Sequence, residues 1–142
     1  MSLWILDTDH VSLALRGHPL VKTLIEQKDL EVATTVITAQ EPFNGWVVRI
    51  NDPRLSNELV PLYARFLQML DFLRRIRILN FDDAANHQYK QLLQFNPTLR
   101  KKRLQEDLKI AAIALSTGAT VVTRNQRDFS LVENLRIEDW TI

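Results

Sequence analysis

Apolar and polar positions along the chain fall into short apolar blocks separated by longer amphipathic stretches. Residues 3–6, 31–36, 76–79, 119–123 and 135–138 are apolar or β-branched runs, short enough to be strands. Near-continuous apolar runs suit strands covered on both faces, the condition of a parallel sheet. Between them, apolar residues recur at helical spacing. Residues 9–16 predict a helix stopped by Gly17 and Pro19, and residues 21–27 a second. Thr38 is placed to cap a helix over 39–50 with Trp46, Val47 and Ile50 on one face, and Asn51-Asp52-Pro53 breaks it. Pro61 sits early in the next helix, where proline is tolerated; Leu59, Leu62, Tyr63, Phe66, Leu67, Leu70 and Leu73 give it a broad apolar stripe up to Arg75, suited to a core or a dimer face. Asp82 can cap a helix over 83–94, ended by Asn96-Pro97, and residues 107–116 predict a strong helix with Gly118 placed to stop it. Residues 125–129 read as a turn and 130–134 as half a helix.

Strands alternating with helices predict an α/β fold, a three-layer sandwich whose mostly parallel central sheet is flanked by helices. At 142 residues, without repeats or low-complexity segments, the chain reads as one domain over 1–142. The net charge of +1 favours no class of partner. The absence of cysteine excludes disulfides, zinc–thiolate sites and a cysteine nucleophile, and fits a reducing, cytoplasmic setting. No apolar run approaches the ~18 residues of a membrane span, and the opening MSLWILD is too short for a secretory signal. A soluble cytoplasmic protein is the expectation.

The candidate chemistry lies in the acids. In open parallel sheets, sites form outside the carboxyl ends of the strands. Asp7 follows the first strand, Glu41 begins the helix after the second, Asp107 begins the helix before the fourth, and Asp128 lies just beyond the fourth. Each also has a plain structural role open to it: a helix cap for Asp7 or Asp9, a favourable helix-dipole position for Glu41 and Asp107, a turn for Asp128. If the four converge, two unit charges ~5 Å apart repel by roughly 3 kcal/mol at an effective dielectric of 20. Protonation or a hard divalent cation would relieve this, and oxygen-only ligands suit Mg²⁺ or Mn²⁺. Such a metal activates water and stabilises in-line displacement at phosphorus.

Taken together, ILDTDHVS, VITAQEPFNGW, EDLKIAAIALSTGATVVTRNQRDF and LRIEDW resemble the PIN-domain ribonucleases, and in particular VapC-type toxins of type II toxin–antitoxin pairs. The stretch from Asp107 to Phe129 is the specific one: an acid, an apolar-alanine helix, a strand, then TRNxxDF. The resemblance implies a PIN-like α/β fold, metal-binding catalytic acids at Asp7, Glu41, Asp107 and Asp128, and orienting polar residues at Thr123 and Asn125, with Asp9 supporting them. It implies Mg²⁺- or Mn²⁺-dependent endonucleolytic cleavage of RNA, a homodimer, and a cognate antitoxin that covers the cleft. The chain departs from the pattern before Asp107, where RKKRLQED is bulky and charged and adds Glu106 beside the acid.

RNA requires positive charge around an acidic centre, and Arg100, Lys101, Lys102, Arg103, Arg124 and Arg127 are the candidates. Trp4, Trp46, Phe66 and Phe72 lie in apolar patterns and read as core. His10, His18 and His87 share no ligand spacing and read as structural. Two rival readings use the same residues. LDTD also fits a haloacid-dehalogenase-like phosphatase with Asp7 as nucleophile and Asp82-Asp83 as a later metal pair, but this leaves Glu41, Asp107 and TRNQRDF unexplained. A catalytically degenerate PIN-like protein that binds RNA or a partner keeps the fold and loses the chemistry.

Overall fold

A computed structural model describes residues 2–142. Five strands, β1 (Trp4–Leu6), β2 (Val32–Thr35), β3 (Arg77–Leu79), β4 (Thr120–Val122) and β5 (Arg136–Glu138), form one sheet in the order β3-β2-β1-β4-β5. Every pairing is parallel, with Ile5 level with Ala33 on one side and Val121 on the other. The helices are α1 (Thr8–Leu15), α2 (Pro19–Lys28), α3 (Val36–Ile50), α4 (Leu59–Arg75), α5 (Asp83–Phe95), α6 (Gln105–Thr117) and the single turn α7 (Gln126–Phe129).

The alternation of side chains along β1 builds two cores. Ile5 faces α5 and α6, packing with Ala33, Val121, Ile110 and Phe129. Leu6 faces the opposite way, packing with Val11 of α1, Val21 of α2, Val32, Val122 and Trp140. This is the three-layer sandwich expected from the sequence. α6 is the most buried helix: Leu108, Ile110, Ala111, Ala112, Ile113 and Ala114 are all inside. Its alanines let neighbouring elements approach closely, and Gly118, at φ +69°, ends it in the left-handed conformation that glycine adopts without strain.

Several boundaries differ from those expected, for local reasons. α3 starts at Val36, three residues early, because Thr35 rather than Thr38 is its cap: the Thr35 hydroxyl accepts the Thr38 N–H at 3.1 Å. The helix then runs through Pro42, which cannot donate to the carbonyl of Thr38. Pro19 opens α2 at its first position, where no N–H is needed. Within the expected turn over 125–129, residues 126–129 wind one helical turn, whereas 130–134 form turns instead of half a helix, with Asn134 at φ +67° two residues before β5. Asp82 caps α5 as expected, accepting the Ala85 N–H at 2.9 Å. Among the described residues, no helix is long and apolar enough to cross a membrane.

All five strands run the same way, so their carboxyl ends share one edge: Asp7 after β1, Thr35 at the end of β2, Thr123 after β4 and Asp139 after β5. Phe129, fully buried, locks α7 and hence Asp128 to the core beneath that edge. Phe129→Ala is therefore expected to cost about 3–5 kcal/mol, read from urea denaturation. A loss below about 1 kcal/mol would mean that α7 is not anchored this way.

Candidate functional site

The acidic edge is assembled from four separate segments. Asp7 leaves β1 in extended conformation at the cap position of α1. One carboxylate oxygen accepts the Thr8 N–H at 2.8 Å and the other the Thr123 hydroxyl at 2.9 Å. The Thr123 hydroxyl in turn accepts the Asn125 N–H at 2.9 Å, so one buried threonine joins β1 to the loop after β4. Asn125 then uses its side-chain amide twice, donating to Asp107 at 3.0 Å and to Asp128 at 3.1 Å. Glu41, at the sixth position of α3, accepts the Thr8 hydroxyl at 2.6 Å. Capping and site-building are thus not alternatives for Asp7; the cap position aims its carboxylate at the site.

Burial, and with it the charge of neighbouring acids, shifts these carboxyls. Burial raises the Asp7 carboxyl above the ordinary range, with Asp9 and Glu41 adding to the effect and the Thr8 and Thr123 hydrogen bonds opposing it. Asp107 is pushed up to about 7, first by burial, then by the charges of Asp7, Asp128 and Glu41. Glu106 rises to about 7 because it shares a hydrogen bond with Glu41, helped by partial burial and by the charges of Glu41 and Asp107. The extra charge before Asp107 therefore stands close enough to Glu41 to be raised by it, a contact that carboxylate spacing alone does not disclose.

Asp128 stands apart electrostatically. The Arg103 guanidinium at 2.8 Å holds its carboxyl down at about 2, against a small burial penalty and with help from Asn125 and from Arg127 at 3.3 Å. Each acid is thus held by its own donors. Among the described residues, no three His, Asp or Glu side chains stand close enough to form a finished metal cage. What the edge presents is oxygen-only donors, Asp7, Glu41 and Asp107, with the charges of Asp7 and Glu41 adding to the burial that raises Asp107; that donor chemistry suits a hard divalent cation, and Asp128 is already paired with arginine.

Asp9 braces this edge from the side. Burial alone would raise it, but the His10 ring and the Arg124 N–H, at 2.7 and 2.9 Å, outweigh burial and bring it below the ordinary range. His10 is completely buried, and its Nε2 accepts the Trp140 N–H at 3.1 Å. That bond assigns the proton to Nδ1, which donates to Asp9. The histidine is structural, as expected, and it ties the stretch after β5 to the site.

The cationic candidates separate. Arg103 and Arg127 join the site through Asp128. Arg124 reaches it through its backbone N–H. Arg100 instead donates to the Leu93 carbonyl at 3.1 Å, and with Lys101 and Lys102 it lines a separate recess of about 140 Å³ beside α5. Asp82 is committed to capping α5, after a strand that β2 separates from β1, about 10 Å away at the usual strand spacing. It does not combine with Asp7 as a phosphatase pair would. Trp46, expected in the core, is half-exposed and lines a cleft between helices.

No family model matches the chain. Over 72 residues it is 35% identical to Ribonuclease VapC2 of Rickettsia felis, a stretch that is 49% of this chain and 52% of that protein, so the match spans about half of the relative's length. Among solved structures, DNA-bound VapBC from Salmonella typhimurium superposes with a TM-score of 0.79 at 24% identity, covering 99% of both chains. VapBC2 from R. felis bound to a DNA fragment from its promoter gives 0.77 at 24% identity, covering 97% of this chain and 98% of the other. In fold, and in sequence over about half its length, the chain is similar to VapC-type proteins, in agreement with the resemblance drawn from the sequence.

The raised acids give the metal-free protein a definite pH response. Asp107 and Glu106 bind protons in the folded chain up to about pH 7, whereas in the unfolded chain they release them near their ordinary values of 3.8 and 4.5. Between those limits the folded state holds more protons, so stability falls as pH rises. With EDTA present, Tm is expected to drop by on the order of a few degrees from pH 4.5 to pH 7.5, and Asp107→Asn to flatten that slope. A Tm that rises over this range, or a slope that Asp107→Asn leaves intact, would mean that the folded chain does not raise these acids.

Proposed function

From a VapC-type PIN fold whose acidic edge gathers residues from four segments, we propose that this protein is a metal-dependent endoribonuclease. In this reading it is the toxin of a VapBC-type pair, acts in the cytoplasm as a homodimer, and is silenced by a cognate antitoxin. The observation that carries the chemistry is the linked set of acids, with Asp7 held by Thr123, Glu41 by Thr8, and Asp107 and Asp128 bridged by the Asn125 amide; burial and the neighbouring charges raise Asp107 to about 7. A charge cluster of that kind is costly in itself and is paired or metal-bound when buried. The likeness to Ribonuclease VapC2 supports RNA as the substrate and the VapBC complexes support an antitoxin partner.

Asp7, Glu41 and Asp107 would hold Mg²⁺ or Mn²⁺, and Asp128 would complete the edge through Asn125 and Arg103. The bound cation would lower the pKa of a coordinated water and offset charge on the phosphate under attack. The chain's own residues set the geometry. Thr123 fixes the rotamer of Asp7, Thr8 that of Glu41, and Asn125 holds Asp107 and Asp128 in a constant relation. Arg103 and Arg127 neutralise Asp128, which lowers the repulsion an incoming phosphodiester meets.

Purified protein should cleave a mixed RNA pool with Mn²⁺, and lose at least roughly a hundredfold in rate with EDTA or with Asp7→Asn. Because external water is the nucleophile, products should carry 5′-phosphate and 3′-hydroxyl ends. Ends bearing 2′,3′-cyclic phosphate would refute the mechanism, and a phosphoenzyme trapped on Asp7 would point to the phosphatase chemistry instead.

A further inference from the structure

A second cleft, of about 560 Å³, opens beside the acidic edge between α1, α3 and α4. This lies within the ~300–1,000 Å³ of ordinary binding clefts. Its wall includes Arg16, Arg49 and Arg65 and no carboxylate. Among the described residues, none of the three arginines makes an ion pair. On a chain with a net charge of only +1, three uncompensated guanidinium groups in one cleft are a concentrated charge.

The cleft adjoins the acids directly. Thr8 lines it and donates its hydroxyl to Glu41, and Pro42, the residue after Glu41, lines it too. Trp46 supplies a flat apolar surface on the same wall, with the Arg49 guanidinium 4.8 Å from its ring centroid. A polyanion approaching clustered carboxylates is repelled, and an adjacent cationic wall offsets that repulsion and captures the strand. Guanidinium forks match phosphate oxygens, and both the indole and a guanidinium plane accept a stacked base.

We propose that this cleft holds the RNA backbone next to the scissile bond, with Arg16, Arg49 and Arg65 as phosphate ligands and Trp46 as a stacking surface. The proposal rests on the nuclease reading. It moves the main substrate contact away from Arg100, Lys101 and Lys102, which line the recess beside α5, to the cleft between α1, α3 and α4.

Binding can be read without cleavage, as fluorescence anisotropy of a labelled short single-stranded RNA in EDTA. The protein is compared with an Arg16→Ala/Arg49→Ala/Arg65→Ala variant and with the single charge reversal Arg49→Glu, each checked for folding by its thermal melt. All three side chains are exposed, so the fold should survive. The triple variant is expected to weaken binding by roughly tenfold or more at low salt, and to reduce the slope of log K against log salt by about 2, from ~0.7 per phosphate contact. Arg49→Glu should shift binding in the same direction. If the variants bind RNA as the unaltered protein does, the cleft proposal falls while the nuclease reading stands. If the unaltered protein binds no RNA, the cleft proposal falls, and the nuclease reading is decided separately by cleavage with Mn²⁺. If the arginines are needed for an acidic peptide and not for RNA, the cleft is a protein-docking site and the proposal is overturned.

Discussion

The repulsion among carboxylates at one end of the sheet is the constraint around which this molecule is organised. A parallel sheet delivers the ends of all its strands to a single edge, and here that edge receives Asp7, Glu41, Asp107 and Asp128. A fold of this size is stable by only ~5–15 kcal/mol, so such a cluster must be compensated locally. The compensation is visible residue by residue. Thr123 and Thr8 donate to Asp7 and Glu41, Asn125 bridges Asp107 and Asp128, and Arg103 neutralises Asp128. What remains uncompensated is centred on Asp107, and that residual charge is the case for a divalent cation.

The supports of the site reach through the whole fold. Phe129 anchors α7 in the core formed by α5 and α6, while Trp140, in the core on the other face of the sheet, positions the N–H that fixes His10. His10 then holds Asp9, and Asp9 holds the backbone of Arg124. The loop that carries Asn125 is thus pinned from both layers. Preorganisation of this kind is what a hydrolytic site needs, since displaced ligands lose activity steeply.

The sheet and its helices were legible in the sequence because short apolar runs and strong stop signals such as Gly118 and Asn96-Pro97 leave little choice of boundary. The early start of α3 was not. Thr35 and Thr38 are both good caps, and only the end of β2, set by its pairing with β1 and β3, decides between them. At the site, the carboxylates could be named from their positions after strands and from the TRNxxDF pattern. Their partners could not. The contacts of Glu106 with Glu41 and of Arg103 with Asp128 depend on how the RKKRLQED loop folds. The arginine cleft draws on α1, α3 and α4, so no local motif announces it, and Trp46 reads as a core residue until α4 is in place.

Calorimetric titration of Mn²⁺ into the metal-free protein tests most directly whether these acids form a cation site. Titrations would be run below and above pH 7, in buffers of differing ionisation enthalpy. If the account holds, Mn²⁺ binds saturably and displaces protons below pH 7, displaces few or none well above it, and Asp107→Asn abolishes most of the binding. Saturable binding without proton release at either pH, or binding that Asp107→Asn leaves unchanged, would contradict it.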